Sequence, residues 1–393
     1  MSLAEPNRYA VTGVGLVSGY GIGADLCFEG LLARERAPRL HDVKAWPVGD
    51  RLLPVAGPDR DQVTSKLPSQ QLASLNMEAR MALAACLLAL EDAGLDEASF
   101  ADDSCGVVVA AQHAGLQDYA DLWWAGMRAD DAIVSPTRGP RAGFNAVAGY
   151  LGIRTGARGP NVTILNGVVG GVDAILYAMD AIARGEARAM LVCGVGFVHP
   201  VEVPLLADAQ PEWEPKPFDV GRRGSCFGNA AAALLIEAPR RDAKAMVTAA
   251  HAAYSPDMDS GASMYRALSQ VLAEDGRKRV AACFAGANGS LMGDAVEAGA
   301  LSTALDYTVP VCAVKGGMGE CLAASVVAQV AMATLSLRHS FLPPTPGLGE
   351  ATGLLRLRVP REPEKLSEGT LLVHGWDAAG GAGAVALRDP EAA

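Results

Sequence analysis

Residues 161–184 read NVTILNGVVGGVDAILYAMDAIAR. Val162, Thr163, Ile164 and Leu165 favour a strand, Asn166-Gly167 signals a turn, and the apolar run that follows has helical length. Strand, tight turn and helix form the layout of a nucleophile elbow. A sharp turn lifts one side chain to the mouth of a helix, where backbone N–H groups and the helix dipole favour an anion. Here the apex is Val168. Valine has no lone pair to attack with and no proton to lose, so the layout suits chemistry that its own apex cannot perform.

The neighbouring segments supply the layers such an elbow needs. Cys105–Ala111 (CGVVVAA) and Ala189–Phe197 (AMLVCGVGF) are apolar without alternation, which suits parallel strands buried on both faces. Asn76–Ala93 reads as a helix with Asn76 as N-cap and Gly94 as stop. Arg8–Val17 is a short strand, Gly23–Ala33 a helix, and Arg34–Lys66, rich in proline and charge, a loop. Beyond a seam near residues 239–244 the alternation restarts: strand from Met246, helix 262–274, strand 280–286, helix 294–303, strand 309–314 and helix 323–337. Two closing strands lie near 370–374 and 383–388. The expectation is an α/β fold of two similar β/α halves, 1–240 and 241–393, stacked as a layered αβαβα sandwich.

Composition narrows the function classes. The chain has 393 residues, 50% apolar and 20% charged, enough for a large core and too apolar for disorder. The net charge is −11 and no long basic run occurs, so nucleic acid is excluded as a partner. The N-terminus lacks a signal pattern, and apolar runs are interrupted before the ~18 residues of a membrane span. A cytoplasmic protein without a membrane partner is expected. Eight scattered cysteines without a CxxC read as reduced core thiols. The six histidines show no paired ligand spacing, so no metal is expected, and the N-terminal GVGLVSGYGIG lacks the following acidic residue of a dinucleotide site, so no cofactor is.

Seven landmarks then occur in order: YAVTGVGLVS, NMEARMALAACLLALEDAGLD, GARGPN, KPFDVGRRGSCFGNAAAALLIE, ANGSLMGDAVEAGAL, VKGGMGE and GWDAAGGAGAVAL. Together they resemble the β-ketoacyl-acyl carrier protein synthases of the thiolase fold over nearly the whole chain. The resemblance implies a site of one elbow cysteine, which carries the acyl chain as a thioester, and two histidines, which assist decarboxylation and stabilise the enolate. All three differ here. The cysteine position is Val168, the first histidine position Asn288, and the second Glu320. Lys315 of the second histidine's motif is retained, as are Asp294 and Glu297. Glu320 beside Lys315 is expected to form an ion pair or cap a helix.

The stretch Gly170-Gly171-Val172-Asp173-Ala174 resembles the Gly-Gly-Leu-Asp-Ala element of chain-length factors, the non-catalytic partners of type II polyketide ketosynthases. Their elbow residue is usually Gln, from which Val168 departs, and an aromatic, polyene or aryl-polyene system is equally compatible. The resemblance implies no catalytic residue in this chain, a heterodimer with an active ketosynthase, and a tunnel for the growing chain on its acyl carrier protein. Gln112, Leu116 and Tyr119 are expected to gate that tunnel, with Trp123, Gly170 and Gly171 at the interface or tunnel wall. The aromatic segment reads equally well as a helix packed on the core. The alternative function is a repurposed ketosynthase-like acyltransferase or hydrolase using Cys283, Ser290, Glu320 or Cys321.

Overall fold

In the structure, a computed structural model, all residues are described except 1–7, 38–39, 48, 69–73, 129–137, 210–213, 258, 352–355 and 393. Ten strands carry the frame. In the first half these are β1 (Tyr9–Ser18), β2 (Cys105–Ala111), β3 (Asn161–Ile164), β4 (Ala189–Gly196) and β5 (Ala230–Glu237). In the second they are β6 (Ala245–Tyr254), β7 (Val280–Phe284), β8 (Val311–Cys312), β9 (Thr370–Trp376) and β10 (Gly381–Arg388). Their order is β3-β2-β4-β5-β1-β6-β10-β9-β7-β8. Read from its outer edge, each half runs third, second, fourth, fifth, first. In each, the fifth strand is antiparallel to both neighbours, and the third and fourth flank the second in parallel. The two halves thus share one topology.

Within this sheet the halves join where Tyr9, Ala10 and Val11 pair with Val247, Met246 and Ala245. So short a seam lets them fold onto opposite sides of a shared helical layer. That layer holds α5 (Gly170–Ala183) and α8 (Ser325–His339), and every residue of α8 from Ser325 to Ser336 is buried. A helix apolar all round has to lie between other elements. Strand alternation separates the layers. Met190 and Val192 of β4 face the central cluster, while Ala189, Leu191, Cys193 and Val195 face an outer cluster with α2 (Met77–Asp92) and α4 (Ala146–Thr155). On the far side, Leu371 and Val373 of β9 point inward. Leu372 and Trp376 meet α6 (Ala262–Glu274) and α7 (Leu291–Ala304). This is the expected αβαβα layering.

One expectation fails. Residues 34–66 are not simply loop: Leu40–Lys44 and Leu52–Ala56 pair antiparallel, Phe227–Gly228 adds a third strand, and Arg60–Ser65 is helical. These strands are short and carry His41, Asp42 and Pro54, so local pattern cannot announce them. Their stability comes from distant partners: Val43, Leu53 and Val55 pack with Val198, Val203 and Leu322. Ala24–Leu32 forms α1 and Leu116–Arg128 forms α3.

Candidate functional site: a filled ketosynthase-like centre

The carboxyl ends of β3, β7 and β8 lead to the residues singled out from sequence. After β3, Gly167 takes φ 53, and a Cβ there would lie 2.8 Å from Asp377 Oδ2. Glycine relieves both constraints. Gly167–Val169 forms one 3₁₀ turn, the Gly170 N–H donates to the Asn166 carbonyl at 2.9 Å, and α5 follows. The elbow is therefore present. Its apex, Val168, is 7% exposed and belongs to the central core cluster, and the turn packs on Leu322–Ala324 and on β9.

The polar positions meet in one network. Lys315 Nζ donates to Glu320 Oε2 at 2.7 Å, and Asn288 Nδ2 donates to the same oxygen at 2.9 Å. Ser325 Oγ donates to Glu320 Oε1 at 2.8 Å, joined by the Leu322 N–H at 3.2 Å. Glu320 is the expected ion-pair partner, and instead of capping a helix it accepts from the Leu322 N–H within the turn that leads into α8. Its backbone is clamped as well, with its N–H on the Cys226 carbonyl at 2.7 Å and its carbonyl accepting from Gly228 N at 2.9 Å. Gly319, at φ 82, lies so close to Cys226 O and Gly228 N that no side chain fits there. Lys315 and Glu320 are both buried. Four donors converge on one carboxylate, which is what a buried charge requires.

Asp294 holds the loop that presents Asn288. Its oxygens accept from Phe218 N at 2.9 Å, Asn288 N at 3.0 Å and Gly289 N at 3.1 Å. Burial pushes its carboxyl up to about 7, opposed by these N–H bonds. Glu297 lies one layer behind, fully buried, accepting from Gly286 N at 2.7 Å and facing His374 Nδ1 at 2.5 Å. Its role here is scaffold.

The residues of the alternative reading are otherwise engaged. Ser290 Oγ accepts from Gly293 N at 3.1 Å and caps α7. Burial pushes the Cys283 and Cys321 thiols well up, away from thiolate. All eight cysteines are buried and free. Among the described residues no group of His, Cys, Asp or Glu is arranged to hold a metal.

Sequence reasoning missed Asp377. The turn after β9 brings it against Gly167, where its Oδ1 accepts from Ala379 N at 2.9 Å and Gly381 N at 3.3 Å. Burial raises its carboxyl pKa, the Glu320 carboxylate adds to the rise, and Lys315 opposes it. The signal was the Asp within GWDAAGG, but only the fold shows that this turn closes over the elbow.

The tunnel and interface candidates are divided between the sheet end, an exposed helix and the buried start of α5. Gln112 follows β2, a parallel neighbour of β3, so it emerges at the same sheet end as the elbow. Leu116 opens α3 half-buried, while Tyr119 and Trp123 are 57% and 55% exposed. Gly170 and Gly171 are buried within the chain's own core, and a Cβ on Gly171 would meet Val326 Cβ at 3.0 Å.

The N-terminal domain of the beta-ketoacyl synthase family matches residues 7–243, and its C-terminal domain residues 243–348. A protein of Streptomyces halstedii named polyketide beta-ketoacyl synthase 2 is 31% identical, with 88% of each chain covered. The tetracenomycin polyketide synthase ketoacyl synthase beta subunit of Streptomyces glaucescens is 29% identical, covering 94% of this chain and 96% of its own. The solved ishigamide ketosynthase/chain length factor superposes with a TM-score of 0.88 at 20% identity, over 98% of this chain and 99% of its own, which shows a shared fold. Matched by both family domains in order, and by a relative 31% identical over 88% of each chain, the chain belongs to the beta-ketoacyl synthase family.

Proposed function

We propose that this chain is the non-catalytic, chain-length-factor-like subunit of a type II polyketide synthase, paired with an active ketosynthase whose carrier-bound chain it confines. The observation that carries this reading is the filled centre. Condensation needs a thiolate at the elbow and donors free to meet an enolate. Val168 supplies no nucleophile, while Lys315, Asn288 and Ser325 all donate to Glu320. The carboxylate occupies the position where an enolate would seek positive charge. Loss of one member of such a set costs orders of magnitude in rate, and here all three positions differ. The relatives' names, a beta subunit and a ketosynthase/chain length factor, support the pairing.

The test is reconstitution with the cognate ketosynthase and carrier protein, with and without this chain. Product formation and chain length should depend on its presence. Unchanged rate and product length in its absence would contradict the proposal.

A further inference from the structure

At the opposite end of the second half's sheet, a strand's length from Asn288, lies a cleft of about 720 Å³. One wall is α6 and the turn after it, and the other is the ribbon of Phe341–Leu342 paired with Glu364–Lys365. The mouth carries Arg277, Lys278, Arg279 and Lys365, all exposed. None of these four side chains has a hydrogen-bond or ion-pair partner among the described residues. Arg358 in the same cleft already pairs with Glu364 at 2.6 Å, and Asp306 Oδ1 accepts from Thr308. The cationic triplet is held on fixed backbone: Arg277 N donates to Leu272 O at 2.8 Å, and Arg279 O accepts from Thr370 N at 2.8 Å. Deeper, Leu272, Val280, Leu305 and Leu342 give an apolar lining, and Tyr265, 45% exposed, stands on α6 at the edge.

Four cations without a partner among the described residues thus line one concavity on a chain of net charge −11. Like charges so placed repel, and an anion relieves the repulsion. Arginine forks and a lysine suit phosphate oxygens. The cleft's volume falls in the range of small-molecule sites, and its apolar depth with one aromatic wall suits a ligand with a ring beside its charges. We propose that this cleft binds a phosphorylated small molecule. An acidic protein surface would find the same charges but would leave the concavity unfilled.

Titration calorimetry on the full chain tests this with inorganic pyrophosphate, ATP and a decaglutamate peptide. Pyrophosphate and ATP should bind saturably and more tightly than decaglutamate, and weaken several-fold as salt is raised. The double variant K278E/R279E should lose at least about tenfold in affinity. Lys365→Glu, on the other wall, should also weaken binding if the first variant proves poorly folded. If ATP binds more tightly than pyrophosphate and Tyr265→Ala removes the difference, the ligand carries a ring. If the two bind alike, the phosphates alone are recognised. Absence of saturable binding at millimolar concentration, affinities untouched by both charge reversals, or decaglutamate binding as tightly as ATP would overturn the proposal.

Discussion

At the scale of single residues, Glu320 and Lys315 decide what the centre can do. Both are buried, and their charges are matched by Asn288 Nδ2, Ser325 Oγ and the Leu322 N–H. Such a pair adds little stability over an apolar replacement, yet removing one partner strands the other. Glu320→Ala should therefore destabilise the chain by about 3–5 kcal/mol in urea denaturation. Lys315→Met combined with Glu320→Leu should cost clearly less than the single change. Equal losses would mean that the ion pair is not what holds this region. The centre was legible in the sequence to the extent that motif order fixed Val168, Asn288, Lys315 and Glu320. The wiring was not. Which donors Glu320 takes depends on the Phe227–Gly228 strand, distant in sequence, which holds its backbone, and on the conformation of the turn into α8. Asp377 was invisible for the same reason.

At the scale of elements, α3 stands out. Its residues are all at least partly exposed, and Tyr119, Trp123 and Met127 recur at every fourth position, exposed by 57%, 55% and 66%. Spacing of four places them along one helical stripe. The sequence left open whether this helix packs on the core or serves a contact, and in the isolated chain the stripe does not pack. A tryptophan at the centre of such a stripe is the usual anchor of an interface. Trp123→Ala should weaken association with the ketosynthase by about 2 kcal/mol or more, roughly thirtyfold, in sedimentation equilibrium. Unaltered association would remove α3 from the interface. The other elements divide by how local their signals are. The long buried strands and helices announced themselves, whereas Leu40–Lys44 and Leu52–Ala56 did not, because partners distant in sequence stabilise them.

At the scale of the whole molecule, two buried carboxyls link folding to pH. Burial pushes Glu78 up to about 7, against the Gly115 N–H that it accepts at 3.1 Å, and Asp294 reaches about 7 as well. A carboxyl with a raised folded-state pKa binds its proton more tightly folded than unfolded. Its contribution is complete below the unfolded value and is lost as pH rises through the folded one. Stability should thus fall between about pH 4 and pH 7 on account of this pair. Glu78→Gln keeps an acceptor for Gly115 N without the charge. It should flatten that fall and raise stability at pH 8 by up to about 3 kcal/mol. A pH profile parallel to that of the unmodified chain would place the titration elsewhere.

The matched topology of the halves keeps an elbow, a central helical layer and a Lys–Glu–Asn network in one place while the elbow's chemistry is gone. The most direct measurement of that claim is condensation by the heterodimer when only the ketosynthase's elbow cysteine is replaced by alanine. This chain is left intact, and malonyl-carrier and acyl-carrier substrates are supplied. With no nucleophile at Val168 and Glu320 occupying its donors, no condensed product should form and no acyl adduct should appear on this chain by intact-mass spectrometry. Condensed product, or a stable acyl adduct on this chain, would contradict a non-catalytic role.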